Sequence, residues 1–198
     1  MRSCKFSAFL ILLIAVPVFY ESDYLLELWL GKVPDHAASF FKIGLFSVAI
    51  NSVRNPLVTA ALANGNIRKY QFVVNGILFT IFPIVYICYS TFSIPELSSI
   101  VYCIVMFLAT LSSAYMLRSM VFLSFRLFLK RVIIRVVLVY ALSFSVSYFI
   151  YQSMNDGLIR LLLATIISLC CVCLIVLFLG MEQNERNFLV AKIKNKIK

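Results

Sequence analysis

Charge is scarce in this chain: Asp, Glu, Lys and Arg make up 13% of 198 residues, against about a quarter in an ordinary soluble domain. Histidine occurs once, as His36, which excludes a metal site built on two His ligands. Only 8 residues are acidic, and none stands in the middle of a long apolar run, so no carboxylate relay for protons or sodium is offered there. Glycine is sparse, and Gly65 in Asn64–Gly65–Asn66 reads as a tight turn without the strand-to-helix context of a phosphate loop. The six Cys make no disulfide scaffold, because Cys88, Cys103, Cys170, Cys171 and Cys173 all sit inside apolar runs as small apolar residues. No nucleophile pairs with a carboxylate or His, so the residues disfavour an enzyme, and no cofactor or metal is expected. Apolar residues, in contrast, are 63% of the chain, or about 125, enough for about six bilayer spans. A soluble domain, a disordered tail and a coiled coil are thereby excluded.

The reading is an all-α integral membrane protein, with spans expected at 6–20, 37–62, 70–91, 98–117, 132–151 and 158–179. The first run is short, with Arg2 and Lys5 as a basic flank. It lacks a small-x-small cleavage pattern and is interrupted by Pro17, so a short first span is preferred to a cleaved signal. Linker charge alternates. Glu21, Asp23, Glu27 and Asp35 follow span one as an exterior loop, Glu96 follows span three, and Asp156 lies between spans five and six. Arg2, Lys5, Arg68, Lys69, the run from Arg118 to Arg135 and the tail fall on the other side. That side holds 14 of the 18 basic residues, which makes both termini cytoplasmic and accounts for most of the net charge of +10 without a nucleic-acid partner. Residues 1–180 thus form one six-span bundle, and 181–198 a basic cytoplasmic tail. Amphipathic surface helices attracted to anionic lipids are expected at 118–131, where Arg118, Arg126, Lys130 and Phe122 share a row, and at 187–198. Trp29, in Tyr24–Gly31, has the place of an interfacial aromatic on the opposite side.

Polar residues within a span must face protein or water. Span two concentrates them in Asn51, Arg54, Asn55 and Pro56. Asn51 and Asn55 share a face, and Pro56 leaves the carbonyl of Ser52 without its helical donor. An arginine and two amides on a kinked helix suit the wall of an aqueous cavity, with snorkelling of Arg54 to the interface as the alternative. Lys42 and Arg160, about one turn inside their spans, read as interfacial snorkels, and with Asn75 they are the secondary site candidates. Asn75 and Gly76 read as helix-packing residues, and Pro17 and Pro83 as further kinks.

The order of LWLGKVP (Leu28–Pro34), Asn55–Pro56–Leu57, ALANGNIRKYQ (Ala61–Gln71) and FLGMEQNERNFLVAKIKNKIK (Phe178–Lys198) resembles the C-terminal half of a Wzx-type polysaccharide flippase. That family belongs to the MOP superfamily, with the MATE exporters. The resemblance covers nearly the whole chain and rests on order and spacing. It implies two helical bundles in the bacterial inner membrane, facing each other across a cavity. By alternating access the pair would carry an undecaprenyl-pyrophosphate-linked oligosaccharide for lipopolysaccharide or surface-polysaccharide biosynthesis. Basic residues in such cavities face the pyrophosphate, which coincides with the reading of Arg54. About six spans are one bundle, as from a truncated reading frame, so the resemblance also implies an N-terminal bundle or a second copy as partner. The rivals are a non-transporting membrane scaffold and a membrane-embedded glycosyl- or acyltransferase.

Overall fold

The computed structural model describes residues 1–65, 67–92, 94–120, 124–153 and 157–181, apart from the side chain of Leu158. Among these residues there is no strand. The elements are α1 (Arg2–Tyr20), α2 (Ser22–Leu30), α3 (Ala37–Ala63), α4 (Arg68–Phe79), α5 (Ile81–Phe92), α6 (Glu96–Met120), α7 (Phe125–Phe128), α8 (Ile134–Gln152) and α9 (Leu158–Ile175). A π-helical turn, Leu129–Ile133, joins α7 to α8 without a break, and a second, Val176–Gly180, extends α9. The surface helix at 187–198, the tail charges beyond Met181, Phe122 and Asp156 lie outside the described residues.

Five stretches are long and apolar enough to cross a bilayer: Arg2–Tyr20, Arg68–Phe92, Glu96–Met120, Phe125–Gln152 and Ile159–Gly180. The expected second span is α3. At 27 residues, about 40 Å, it is long enough to cross the hydrocarbon. It is not among the five, since Lys42, Asn51, Arg54, Asn55 and Pro56 dilute its apolar character. The outer surface of the bundle is apolar, with Phe72, Phe79, Phe82 and Tyr86 exposed on α4–α5 and Ile159, Leu162 and Ile166 on α9. In water such a surface would aggregate, whereas hydrocarbon solvates it.

At the centre, α1 packs against α3, α8 and α9, and α3 in turn packs against α6, which carries α4 and α5. Small residues make the close approaches. Cys4 and Ala8 of α1 lie with Val53, Leu57 and Ala61 of α3 and Ala109 and Ala114 of α6 in one core. A second core joins Phe9, Leu12 and Val16 to Val139, Val172 and Val176. Tyrosine hydroxyls reach backbone or side chain across helices: Tyr140 donates to the Ala8 carbonyl at 2.9 Å, Tyr20 to the Phe144 carbonyl at 2.6 Å, and Tyr70 to Ser113 Oγ at 3.1 Å.

Two expectations are corrected here. Among the described residues of 118–131 there is no separate surface helix: residues 118–120 close α6, and 125–131 open the long helix that becomes α8. Phe128 and Val132 are fully buried, so this segment docks into the core instead of lying flat on a headgroup layer. Asn75 and Gly76 do not pack. Both are exposed, and a side chain added at Gly76 would meet nothing. On α4 the inward stripe is Tyr70 and Val74 instead.

Gly180, by contrast, is required by space. A Cβ there would stand 2.8 Å from Phe9 Cζ, and Phe9 is itself locked in the second core. Gly180→Ala is therefore expected to destabilise the bundle by about 1–3 kcal/mol. Phe9→Leu in the same chain should recover part of that loss in thermal unfolding followed by circular dichroism in detergent.

Candidate functional site

Helix α3 carries the densest polar sequence, and its faces look onto two clefts. The larger, about 530 Å³, opens between α3, α6 and α8. Phe46, Ala49, Ile50 and Val53 line it from α3, Phe107 and Thr110 from α6, and Val136, Val137, Tyr140, Ala141 and Phe144 from α8, with Ile133 just before. Helix α8 runs antiparallel to α3 along it, and α6 parallel to α3. Phe46 stacks on Phe144 at one end, with ring centroids 5.8 Å apart and planes at 20°, while Val53 faces Ile133 and Val136 at the other. Both polar groups on its wall are engaged elsewhere: Thr110 Oγ1 donates to the Met106 carbonyl at 2.8 Å, and Tyr140 to Ala8. This cleft offers nothing that could hold a sugar or a phosphate by hydrogen bonds.

Arg54, next to Val53 and one turn on from Ile50, stands beside the Val53 end of the cleft. It is half-buried, and its Nε is buried with no hydrogen-bond partner among the described residues. A guanidinium N–H left in that state is a donor awaiting an acceptor, because the desolvation has been incurred without compensation. Asn51 and Asn55 do not join it on the cleft. Asn55 is exposed, and Asn51 continues the row of Gly44 and Ser47, which line a second cleft of about 320 Å³ between α3, α5 and α6. The helix runs through Pro56 without interruption, and Ser52 Oγ bonds the Ala49 carbonyl at 2.6 Å. Lys42 reaches Asp23 Oδ2 at 2.7 Å and lies 6.0 Å from the centre of the Phe19 ring, tying α2 to α3. His36, in a left-handed conformation at the head of α3, pairs through Nδ1 with Glu96 Oε1 and so joins two turns at one end of the bundle.

No family model, no curated protein and no solved structure matches the chain.

The second polar centre went unrecognised in the sequence. Glu21 was expected in an exterior loop and Arg160 as a snorkel. Instead Glu21 is 1% exposed and grips Arg160 with both oxygens, Nε to Oε1 at 2.9 Å and the second pair at 3.1 Å. The reason is that the chain does not leave its helix after Tyr20. The amide of Glu21 bonds the Pro17 carbonyl at 3.0 Å and that of Leu25 bonds the Glu21 carbonyl at 2.8 Å, so Glu21 is a joint between α1 and α2. No glycine or proline stands between Pro17 and Gly31, and YLLELWL continues the apolar pattern: that was the available signal. The pair is backed by aromatics. Tyr20 stacks on Tyr151 at 5.0 Å, and Phe19 meets Phe46 and Phe144 edge-on at 5.8 and 5.1 Å.

Breaking a buried pair strands a charge, whereas removing both partners does not. Glu21→Leu or Arg160→Leu alone should cost on the order of 3–5 kcal/mol of unfolding stability. The double variant should recover most of it in a double-mutant cycle read by thermal unfolding in detergent. Additive losses would show that the two side chains act independently.

Proposed function

We propose that this chain is one helical lobe of a membrane flippase that moves a lipid-linked, anionic saccharide across a bacterial inner membrane. The observation that carries this reading is Arg54: a half-buried cation within α3, its Nε without a partner among the described residues, beside the cleft between α3, α6 and α8. Such a residue is costly unless it serves a ligand or a water-filled path. A diphosphate supplies the missing acceptors, and a low-dielectric surrounding strengthens its attraction to the guanidinium until the path hydrates and the ligand leaves. The order of segments resembling a Wzx-type flippase supports the same reading and names the cargo class, an undecaprenyl-pyrophosphate-linked oligosaccharide. In this account α3 is the sixth span, tolerated despite its polar residues because they face protein, a cleft or the partner lobe. The partner is an N-terminal bundle of the same kind or a second copy of this chain. In this reading Arg54 has the ligand role, and Asn51 and Asn55 do not line the cleft beside it.

Two measurements test the reading. In proteoliposomes holding the chain with a first lobe, translocation of a fluorescent polyprenyl-diphosphate saccharide should fall at least about tenfold in Arg54→Ala, roughly the value of one charge-assisted bond. Arg54→Lys should restore part of it if charge matters more than the guanidinium fork; undiminished transport by the Ala variant would sink the role. Secondly, reporters fused before Met1 and after Lys198 should both register on the cytoplasmic side, as the distribution of basic residues requires.

A further inference from the structure

Of the five apolar stretches, Arg68–Phe92 is the least covered by its own chain: 6% of it is buried, against 22% or 44% in the others. Helices α4 and α5 lean on α6, and Tyr70 and Val74 carry α4 into the core. Turned away from that contact are Phe72, Asn75, Phe79, Phe82, Tyr86 and Tyr89, all exposed. They follow one another at intervals of 3, 4, 3, 4 and 3 residues, the repeat by which one helix lies along another in a left-handed coil. Thr80 separates α4 from α5 without interrupting the row, since the rings of Phe79 and Phe82 stand 5.6 Å apart across it. We propose that this row is the seam of a parallel homodimer, in which α4 and α5 of one copy lie along α4 and α5 of another.

Asn75 decides the occupant. It lies seven residues, about 10 Å, inside the Arg68 end of the stretch. Its carboxamide is exposed and makes no hydrogen bond among the described residues. Lipid would satisfy the aromatic rings of the row, but it leaves an amide without partners. Two copies inserted in the same sense bring identical residues to equal depth about a two-fold axis along the membrane normal. A carboxamide is both donor and acceptor, so each Asn75 donates to its twin and accepts from it in return. A single Asn in such a repeat also fixes the register and the number of chains. Beside it, Gly76 leaves a gap that nothing in its own chain fills, which gives room for a ring of the second copy. No residue of α4 or α5 lines the cleft between α3, α6 and α8. The pairing therefore leaves that cleft untouched and does not rest on the flippase reading.

The test uses the full chain in phosphatidylcholine vesicles, with donor and acceptor dyes on tags placed after Lys198. Energy transfer should follow a monomer–dimer equilibrium as protein density rises, and should fall when unlabelled chain is added. Asn75→Leu, which keeps the helix apolar, should weaken association about tenfold, the value of two interhelical amide bonds. Gly76→Trp should abolish transfer while helicity is retained, because the new ring meets nothing in its own bundle. Leu162→Trp, on the exposed face of α9, should leave transfer unchanged. Benzoylphenylalanine in place of Phe79 should yield, on illumination, a covalent dimer joined through α4 and α5 of both copies. The same group in place of Ile159 should yield none. Adducts to lipid alone, transfer no greater than random proximity at every density, or association indifferent to both Asn75→Leu and Gly76→Trp would each overturn the proposal. So would an adduct from position 79 to a different protein in cell membranes, since the face would then belong to another partner.

Discussion

The bundle depends on α1 supplying, to three neighbours at once, partners that hydrocarbon cannot supply. In a bilayer, polar groups between helices have no solvent to turn to, and association relies on close packing and internal hydrogen bonds. The small residues Cys4, Ala8 and Ala15 of α1 are buried, and its backbone comes near enough for Tyr140 to bond the Ala8 carbonyl. At its far end Tyr20 bonds the Phe144 carbonyl and Glu21 holds Arg160. Through these links α3, α8 and α9 are positioned by one helix, and the cleft between α3 and α8 is the space left in front of it.

That arrangement explains why the bundle combines a dry cleft with an isolated cation. Of the α8 groups that could have made the cleft polar, Tyr140 bonds α1, and Ser143 and Ser147 are buried away from its lining. On α3 the helical repeat separates Ile50 and Val53, which line the cleft, from Asn51 and Asn55, which do not. Arg54 falls between these two faces, close to an apolar volume without being part of its wall.

The helical class and the five stretches long and apolar enough to cross a membrane were legible because they rest on run length and apolarity, which are local properties. Three features were not. The segment 118–131 has the charge spacing of a surface helix, but Phe128 and Val132 find a core, and burial overrides the pattern. Asn51 and Asn55 stand four apart and share a row as expected, yet which neighbour that row meets depends on how α3 is rotated against α5 and α6. Glu21 has the sequence context of a loop acid after a proline, and only a continuing helix carries it under α9.

By itself the sequence determined that the chain is helical, that several of its stretches are long and apolar enough to cross a membrane, and that one stretch, α3, bears more polar groups than these. Tertiary structure alone decided that Glu21 and Arg160 meet across 139 positions, that Arg54 Nε is left without a partner among the described residues, and that the neighbouring cleft is apolar. The physical reason is one of range. Hydropathy and helical period act over a few turns, whereas the rotation of each helix about its axis is set by packing with neighbours far away in the chain.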